Sequence, residues 1–360
     1  MFHIVFNINE NYAKYCAVVI ASIIQATKYN GGGGQNHSYT FHILSDNLSQ
    51  TTQDKFQSLA KALNNIYPCE IFTHFVSENA FKNYPTLHNS HATYLRLKLA
   101  SILPKHLNIC LYLDVDILVL SDLRELFNTN LKGNLLAAVG DFNTDKTLPH
   151  KIGNMPPYSF SKNNLYYNSG VMLINLQKWR KMDMESKALN FLSTYAVHYH
   201  DQDTINAIAE NKILKLDPKW NLAAFYATAL QRNLSINFNK GEYCLPYTQE
   251  TFHKATENPA IVHYFGNIIA KPWESVYSKI HTHLNSYLPF YHSSYYKWWE
   301  IALQVPAFNT ELVALKLQIE QSDLKHYSNS LANTLKERDT FFLQKIQMLE
   351  ANIQSLLTKT

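Results

Sequence analysis

The chain has 360 residues, of which 17% are charged and 13% are aromatic, and its formal net charge is +4. This composition is typical of a globular protein and argues against a disordered chain, and so small and dispersed a charge does not indicate nucleic-acid binding. The four cysteines form no CxxC pair, which argues against a structural zinc site and favours reduced thiols in a cytoplasmic protein. The first residues lack a basic segment, and we expect neither a signal peptide nor a membrane-spanning helix.

Strands and helices alternate from the N-terminus. Phe2 to Ile8 reads as a strand and Tyr12 to Lys28 as a helix, because its apolar residues recur at helical spacing. Tyr39 to Ser45 and Cys69 to Val76 read as further strands, and the helix between them runs from Gln50 to Asn64. This order predicts an α/β domain built on a mostly parallel sheet.

A polar turn joins the first strand to the first helix and contains Asn7, Asn9, Asn11 and Tyr12. In open α/β sheets, ligands bind beyond the carboxyl ends of the strands, so this turn is placed to hold a nucleotide base. The alternative is an ordinary loop in which the asparagines cap the helix.

His91 to Ile102 is predicted to be a helix that carries two basic residues, Arg96 and Lys98. Because it precedes an acidic strand, a basic side chain here could neutralise a diphosphate or pair with Asp114. The alternative is a solvated helix face.

Two carboxylates lie inside the apolar run from Ile109 to Leu120, which reads as one strand buried on both faces. Strand side chains alternate, so Asp114 and Asp116 are expected on one side and Val115 on the other. Buried carboxylates are costly without a partner, and a divalent cation such as Mg²⁺ or Mn²⁺ would remove that cost. The alternative is a strand end at which the aspartates cap a turn.

Further polar residues follow later strands. Asp141 comes directly after the predicted strand Leu135 to Val139. Asn143 to Asn164 is polar, contains three prolines and is predicted to be an irregular lid. Tyr166 to Trp179 opens as a strand, and the small residues that follow Asn168 would let a substrate approach the backbone. A helix is expected from about residue 180 to residue 199.

Two more stretches resemble binding sites. Asp201, Gln202 and Asp203 lie at a helix start, where they could hold sugar hydroxyls or serve for capping. His263 follows a short apolar strand and is a candidate third metal ligand, although a lone histidine is more often structural. Lys271 could reach a phosphate.

The C-terminal part has a different composition. Tyr287 to Trp299 is rich in aromatic residues, which is typical either of a membrane-interface anchor or of a packed helix that covers the preceding domain. Apolar residues then recur every seven positions, which favours a helical coil and self-association, with a long monomeric helix as the alternative. These residues are Leu335, Phe342, Leu349 and Leu356, with Ile346 and Ile353 between them.

In this order, the motifs resemble those of glycosyltransferase family 8. The motifs are Thr93 to Lys98, Leu111 to Asp116, Tyr167 to Asn175, Asp201 to Asp203, and His263 to Trp273. The resemblance implies a GT-A nucleotide-diphospho-sugar transferase fold, which is a Rossmann-like mixed sheet flanked by helices, over residues 1 to 275. We expect an aromatic-rich helical segment over residues 276 to 305 and a helical or coiled-coil extension over residues 306 to 360.

The resemblance also implies roles for individual residues. Asp114, Asp116 and His263 would bind Mn²⁺, or Mg²⁺, together with the diphosphate of a UDP-sugar. The other donor-binding positions would be Asn7, Asn9, Asn11 and Tyr12 at the uridine, Arg96 and Asp201 at the sugar, Gly266 and Lys271 at the diphosphate, and Val115, Asn168 and Gln202. Gln202, Asp201 and Asp141 would be the catalytic residues near the sugar or its acceptor.

The sequence departs from the bacterial galactosyltransferases of this family at two points. Asn9 replaces an aspartate that faces the base, and the interval between His263 and Lys271 is two residues longer. The first change bears on base selection and the second on the role of Lys271. Neither affects the acids expected to bind metal.

The resemblance implies a retaining transferase that moves galactose or glucose from UDP to a lipopolysaccharide core oligosaccharide, in the cytoplasm or at the inner face of its membrane. One alternative is a glycogenin-like self-glucosylating primer, which the many tyrosines suggest. Another is a non-catalytic assembly factor that acts through the C-terminal coil.

Overall fold

The computed structural model describes residues 1–31, 37–84, 91–142, 147–160, 165–209, 211–231, 236–238, 244–266, 269–278 and 289–357. A seven-stranded mixed sheet forms its centre, with the spatial order β10-β6-β9-β4-β1-β2-β3. The seven strands are β1 (Phe2–Asn7), β2 (Tyr39–Ser45), β3 (Cys69–Phe75), β4 (Ile109–Leu113), β6 (Leu136–Gly140), β9 (Tyr167–Asn175) and β10 (Ile213–Lys215). Strand β9 is antiparallel to both of its neighbours, and the other pairs are parallel. The predicted α/β class is confirmed.

Smaller sheets extend this centre. A three-stranded sheet contains β5 (Ile117–Val119), β11 (Leu222–Ala223) and β14 (Ile261–His263), in the order β11-β14-β5. Two pairs of short strands are β7 (Thr147–Leu148) with β8 (Tyr158–Ser159), and β12 (Asn237–Phe238) with β13 (Cys244–Leu245).

Eleven α-helices are present in the described residues. They are α1 (Ala13–Gly31), α2 (Gln50–Asn64), α3 (Leu99–Ile102), α4 (Arg124–Phe127), α5 (Leu176–Lys181), α6 (Met184–Thr194), α7 (His200–Ile208), α8 (Ala224–Gln231), α9 (Gln249–Glu257), α10 (Pro289–Ala302) and α11 (Asn309–Leu357). Helix α2 shows why these segments fold locally. Ser49 caps it by accepting a hydrogen bond from Thr52 N, and Phe56, Leu59 and Leu63 recur on its buried face.

The acidic run from Ile109 to Leu120 differs from the expected single strand. Strand β4 ends at Leu113, and β5 begins at Ile117 in the other sheet, where it pairs antiparallel with β14. The prediction that alternation along one strand brings the two aspartates together is therefore wrong. They converge because the backbone leaves one sheet and enters another between them, which apolar composition alone does not reveal.

Other segments also differ from expectation. The segment around Arg96 is a 3-10 helix, Ala92–Lys98, before the short α3. The helix expected from residue 180 to 199 is two helices, α5 and α6. The expected lid contains β7 and β8, whereas residues 143–146 and 161–164 lie outside the described residues.

The C-terminal helices pack differently from each other. Trp298 and Trp299 of α10 are buried, and the Trp298 ring lies 5.2 Å from Trp273 between ring centroids. Trp299 Nε1 donates to Pro272 O at 2.9 Å. These tryptophans therefore cover the preceding domain, as the packed-helix alternative requires, and the domain boundaries stay predictions. No described helix is both long enough and apolar enough to cross a membrane.

Candidate active site

The carboxyl end of β4 meets the end of β14, and this junction brings Asp114, Asp116 and His263 together. One potential ligand atom from each lies within 4.8 Å of the others. His263 Nε2 is 3.0 Å from Asp116 Oδ1 and 3.8 Å from Asp114 Oδ2. Two carboxylates and one imidazole form a donor set that suits Mn²⁺.

Asp114 is fixed from the side opposite His263. Arg96 Nη2 lies 2.8 Å from Asp114 Oδ1, and the Tyr112 hydroxyl donates to the same oxygen at 2.9 Å. The guanidinium of Arg96 also lies over the Tyr112 ring, 4.2 Å from its centroid. Both donors use Oδ1, so Oδ2 is the oxygen directed toward His263. Of the alternatives for Arg96, pairing with Asp114 is the one observed.

Asp116 lies between two basic groups. Lys271 Nζ contacts Asp116 Oδ2 at 2.7 Å, while His263 faces Oδ1. Burial by itself raises the pKa of Asp116, but the neighbouring Lys271 and His263 outweigh burial and hold it well below its usual range. Burial lowers the pKa of Lys271, and Asp116 reverses that effect, so the pKa of Lys271 is raised. Both groups are therefore charged at neutral pH.

A chain of hydrogen bonds orients His263. Gly170 N donates to Asn168 Oδ1 at 2.9 Å, which identifies that atom as the amide oxygen. Asn221 Nδ2 donates to the same oxygen at 2.7 Å, so Asn221 Oδ1 faces His263 Nδ1 at 2.8 Å. Nδ1 must therefore carry hydrogen, and Nε2 is the nitrogen presented to the carboxylates.

Gly170 provides the space for this arrangement. A Cβ added there would overlap His263 Cε1 and lie 2.8 Å from Asp114 Oδ2. We expected small residues here to admit a substrate to the backbone. In the structure, the missing side chain instead leaves room for the imidazole and the carboxylate.

A second group of polar side chains lies at the ends of β6 and β9, beside the candidate metal ligands Asp114, Asp116 and His263, which we call the metal cluster. Gln202 Oε1 accepts from Ser169 N and from Asn168 Nδ2, both at 3.1 Å. Gln202 Nε2 consequently faces Asp141 Oδ2 at 3.4 Å. The Tyr226 hydroxyl donates to Asp141 Oδ1 at 3.3 Å. The hydrogen bonds to Asp141 in the described residues thus come from neutral donors, and they suit a group that binds sugar hydroxyls.

Asp201 has a different environment from Asp141. Its carboxylate lies 3.1 Å from Arg96 Nη1, accepts from Ser169 Oγ at 2.8 Å and accepts from Thr93 Oγ1. Burial raises the pKa of Asp201, although Arg96 opposes this shift. Asp201 therefore positions Arg96 and the start of β9. Asp203 is also buried, and its Oδ2 accepts from the backbone of His198 and Tyr199.

The N-terminal turn reaches the same crevice from β1. Asn7 has both side-chain polar atoms buried without a hydrogen-bond partner in the described part of the chain. Asn9 caps the 3-10 helix Glu10–Tyr12, as its alternative interpretation expected, and Asn11 is exposed. Burial raises the pKa of Tyr12, the nearby Lys271 lowers it by a smaller amount, and Asp116 adds to the rise. The turn therefore borders the metal cluster.

Two further predicted donor positions, Val115 and Gly266, have no polar side chain and lie at bends of the backbone. Val115 is buried in the break between β4 and β5. Gly266 is exposed with φ +84°, and a Cβ there would meet nothing within 4 Å. Gly266 therefore serves the backbone turn that follows β14, since a left-handed conformation favours glycine.

The sequence reasoning missed Asn221, Tyr226 and the supporting role of Tyr112. Tyr112 lies two positions before Asp114, and this spacing could have indicated a shared face. Asn221 and Tyr226 lie in a stretch without any motif, and the fold alone brings them to the crevice.

Comparison with known proteins decides the family. The family model described as glycosyl transferase family 8 matches residues 3–276. The chain belongs to glycosyltransferase family 8.

Individual relatives of this family 8 chain share about a third of its residues or fewer over the aligned part. A Haemophilus influenzae protein is 34% identical over 226 residues, which are 61% of this chain and 62% of that protein, less than two thirds of its length. The lipopolysaccharide 1,3-galactosyltransferase of Salmonella typhimurium is 27% identical over 281 residues, which are 76% of this chain and 73% of that enzyme.

The fold of the family 8 chain has solved counterparts. The galactosyltransferase LgtC, solved with donor and acceptor sugar analogues, superposes with a TM-score of 0.60 at 24% identity. The match covers 84% of this chain and 96% of that structure. The expected GT-A fold is confirmed, and the protein is a glycosyltransferase.

Proposed function

We propose that this family 8 enzyme transfers galactose or glucose, with retention of anomeric configuration, from a UDP-sugar to a lipopolysaccharide core oligosaccharide. The observation that carries the proposal is the cluster of Asp114, Asp116 and His263 at the edge where the two sheets meet. We expect the turn after β1 to face the base and the amide of Gln202 to face the sugar, since ligands of open α/β sheets bind beyond the carboxyl ends of the strands.

The three clustered residues fit a divalent cation. Asn221 holds the His263 ring so that Nε2 faces the carboxylates, and without a cation the Asp116 charge is balanced by Lys271. When bound, Mn²⁺ or Mg²⁺ would neutralise the charge that develops on the leaving UDP. The chemistry of the donor set favours Mn²⁺, since an imidazole is a poorer ligand for the harder Mg²⁺.

Two basic residues of the chain would each contact a different part of the donor. Lys271 lies next to Asp116 and carries a raised pKa, so it remains a cation that can contact the diphosphate. Arg96 is held by Asp114 and Asp201, and we expect it to contact the sugar. At the opposite end, the unpaired amide of Asn7 has the donor and the acceptor that a uracil ring could satisfy.

The amide group beside the metal cluster would hold the sugar and its acceptor. Gln202 Oε1 already accepts two hydrogen bonds, so its lone pairs are engaged, and a nucleophilic role for that oxygen is disfavoured. Gln202 then orients the sugar, which favours direct attack by the acceptor on the same face. Asp141 would accept a hydrogen bond from an incoming hydroxyl.

The acceptor assignment rests on relatives. The Salmonella typhimurium relative is a lipopolysaccharide 1,3-galactosyltransferase, and an Escherichia coli relative that is 25% identical over 279 residues is a lipopolysaccharide glucosyltransferase. One name specifies galactose and the other glucose, which are the two hexoses that we propose. A self-glucosylating primer is the competing function, and intact mass distinguishes the two.

The test is a panel of UDP-sugars incubated with Mn²⁺ and truncated core oligosaccharides. Release of UDP and the mass of the oligosaccharide product are measured, and samples treated with a chelator serve as the metal-free control. We expect UDP-galactose or UDP-glucose to extend the oligosaccharide by one hexose only when Mn²⁺ is present. Transfer that persists without metal would contradict the role of the acidic cluster, and a ladder of masses on the protein would favour the primer.

A further inference from the structure

The distal part of α11 exposes apolar side chains that its proximal part buries. Near its start, Leu312 and Ile319 are buried, and Ser275 donates to Asp323. His326 still stacks on Tyr277, with ring centroids 5.6 Å apart, and the apolar residues from Leu324 to Leu349 are exposed. The distal stripe consists of Leu324, Tyr327, Leu331, Leu335, Phe342, Ile346 and Leu349, which are between 42% and 68% exposed.

The distal stripe follows a coiled-coil spacing. Steps of three, four and four residues lead from Leu324 to Leu335, and a step of seven leads to Phe342. Steps of four and three then reach Ile346 and Leu349. The first stretch spans 11 residues once, which is a stutter of four residues, and the second follows heptads, so the seam continues although the supercoil unwinds locally near Leu335. At 1.5 Å per residue, the exposed helix extends about 50 Å.

We propose that the distal stripe pairs with the same stripe of a second copy of this chain, as a parallel coiled coil in register. With Phe342 and Leu349 at d and Ile346 at a, Lys345 takes position g and Glu350 position e. In parallel coils, g contacts the e position five residues later in the partner, so Lys345 meets Glu350 of the other copy. In an antiparallel pair each would meet its own like charge.

Asp339 occupies an a position between Leu335 and Ile346, where most coils place an apolar residue. Its neighbour Arg338 lies 2.9 Å from Asp339 Oδ1 and offsets its charge. In a parallel pair in register the two Asp339 side chains would face each other, so this layer weakens the coil, whereas a shift of register would place each aspartate against an apolar layer instead.

The charge of the distal helix favours a protein partner over a lipid surface. Between residues 324 and 357 there are four lysines and arginines and three acidic residues. Helices that lie on anionic membranes instead carry an excess of Lys and Arg on the polar face. A near-neutral helix with an exposed seam is better suited to a second copy of itself.

The first experiment measures the association of the full chain by sedimentation, with Leu349→Lys and Met348→Lys compared. Leu349 lies in the distal stripe, whereas Met348 is adjacent, 70% exposed and off the seam, so it is the matched control. We expect a self-associating wild type, a dissociation constant raised at least about hundredfold by Leu349→Lys, and little change with Met348→Lys, because a lysine on the seam would be buried without a partner. A monomeric wild type, or equal effects of both variants, would overturn the proposal.

The second experiment tests the strand direction by charge exchange. Lys345→Glu and Glu350→Lys each create like-charge contacts between the copies, and each should weaken association about three- to tenfold. The double variant restores the pairs and should return to near the wild-type constant. If the double variant is as weak as the singles, the parallel arrangement in register is wrong.

A third measurement distinguishes pairing with a second copy from binding of the distal stripe to a lipid surface. The full chain is mixed with vesicles of anionic phospholipid and sedimented, again with Leu349→Lys and Met348→Lys. We expect no binding that depends on Leu349. Monomeric protein that sediments with the vesicles and loses this property in Leu349→Lys would overturn the proposal in favour of a membrane-facing stripe.

Discussion

Among the residues that the structure describes, histidine is buried in two places with opposite partners. His263 faces Asp116 on one side and Asn221 on the other. His42 lies between His3 and His74, with ring nitrogens 3.0 Å apart in each pair. This histidine row crosses the parallel strands β1, β2 and β3, away from the acidic residues of the crevice.

The two places differ in the groups that surround the buried imidazole. Burial, together with His74 and His3, lowers the pKa of His42 to about 3, so the row is neutral at physiological pH. At the crevice, His263 instead faces two carboxylates, one of which also contacts Lys271. The same side chain is thus structural in one place and a candidate ligand in the other.

Removing one carboxylate should give the largest effect. We expect Asp116→Asn to lower metal-dependent transfer by more than about hundredfold, since the loss of outer partners of a ligand alone costs ten- to hundredfold. Transfer with Mn²⁺ and the melting temperature are measured together. Asp54→Asn, on the surface of α2, is the matched control. Retention of most activity with an intact fold would remove Asp116 from the site.

Filling the space at Gly170 should be the next largest effect. A methyl group there would overlap His263, so Gly170→Ala should displace the ring, weaken Mn²⁺ binding and cost about 1 to 3 kcal/mol of stability. Calorimetric titration with Mn²⁺ and a urea unfolding curve measure both quantities. Gly153→Ala, where a Cβ meets nothing within 4 Å, should change neither. Equal behaviour of the two variants would show that the imidazole does not depend on this space.

Asn221 tests whether the orientation of His263 matters. Asn221→Leu removes the acceptor for Nδ1 and should lower Mn²⁺ affinity about ten- to hundredfold. Asn221→Asp keeps that acceptor and should preserve the affinity, while it places an oxygen against Asn168 and so impairs transfer. Mn²⁺ affinity and kcat are compared for both variants. Equal losses of affinity would contradict a positioning role.

The histidine row should have the smallest effect on transfer, because it contributes to stability and not to the crevice. In the unfolded chain His42 has a pKa of about 6.5, so the unfolded state binds protons more readily below that pH. The contribution of the row is complete above about pH 6.5 and is lost as the pH falls toward 3, by up to about 1.4 kcal/mol per pH unit for this group.

Urea unfolding at neutral and mildly acidic pH measures this loss. His42→Gln keeps hydrogen-bonding atoms without a titrating group, and it should flatten the pH dependence. His253→Gln, at an exposed position of α9, should leave it unchanged. An unchanged slope in His42→Gln would mean that other groups govern acid unfolding.

Much of the fold could be predicted from local patterns. Strands β1, β2 and β3 and helix α2 lie within one residue of the expected bounds, since each carries a clear apolar period and clear ends. The break after Leu113 was missed because both halves of the run are equally apolar, and only the pairing of β5 with β14 separates them.

The candidate site shows the same division. Asp114, Asp116 and His263 were found by residue type and position after strands, and the structure brings them together. The hydrogen bond between Asn221 and His263 could not be predicted from the sequence, because an asparagine in an ordinary 3-10 helix carries no signal of a contact 42 residues away.

The sequence by itself determined the family, the α/β class, the first three strands and the identity of the charged residues in the crevice. The tertiary structure decided which atoms face each other: it turned the chain between two sheets at Asp114 and Asp116, and it fixed the His263 ring through Asn221. The reason is physical. Local patterns report which residues prefer burial, whereas the partner of a buried charge comes from a distant segment that only folding brings within hydrogen-bonding reach.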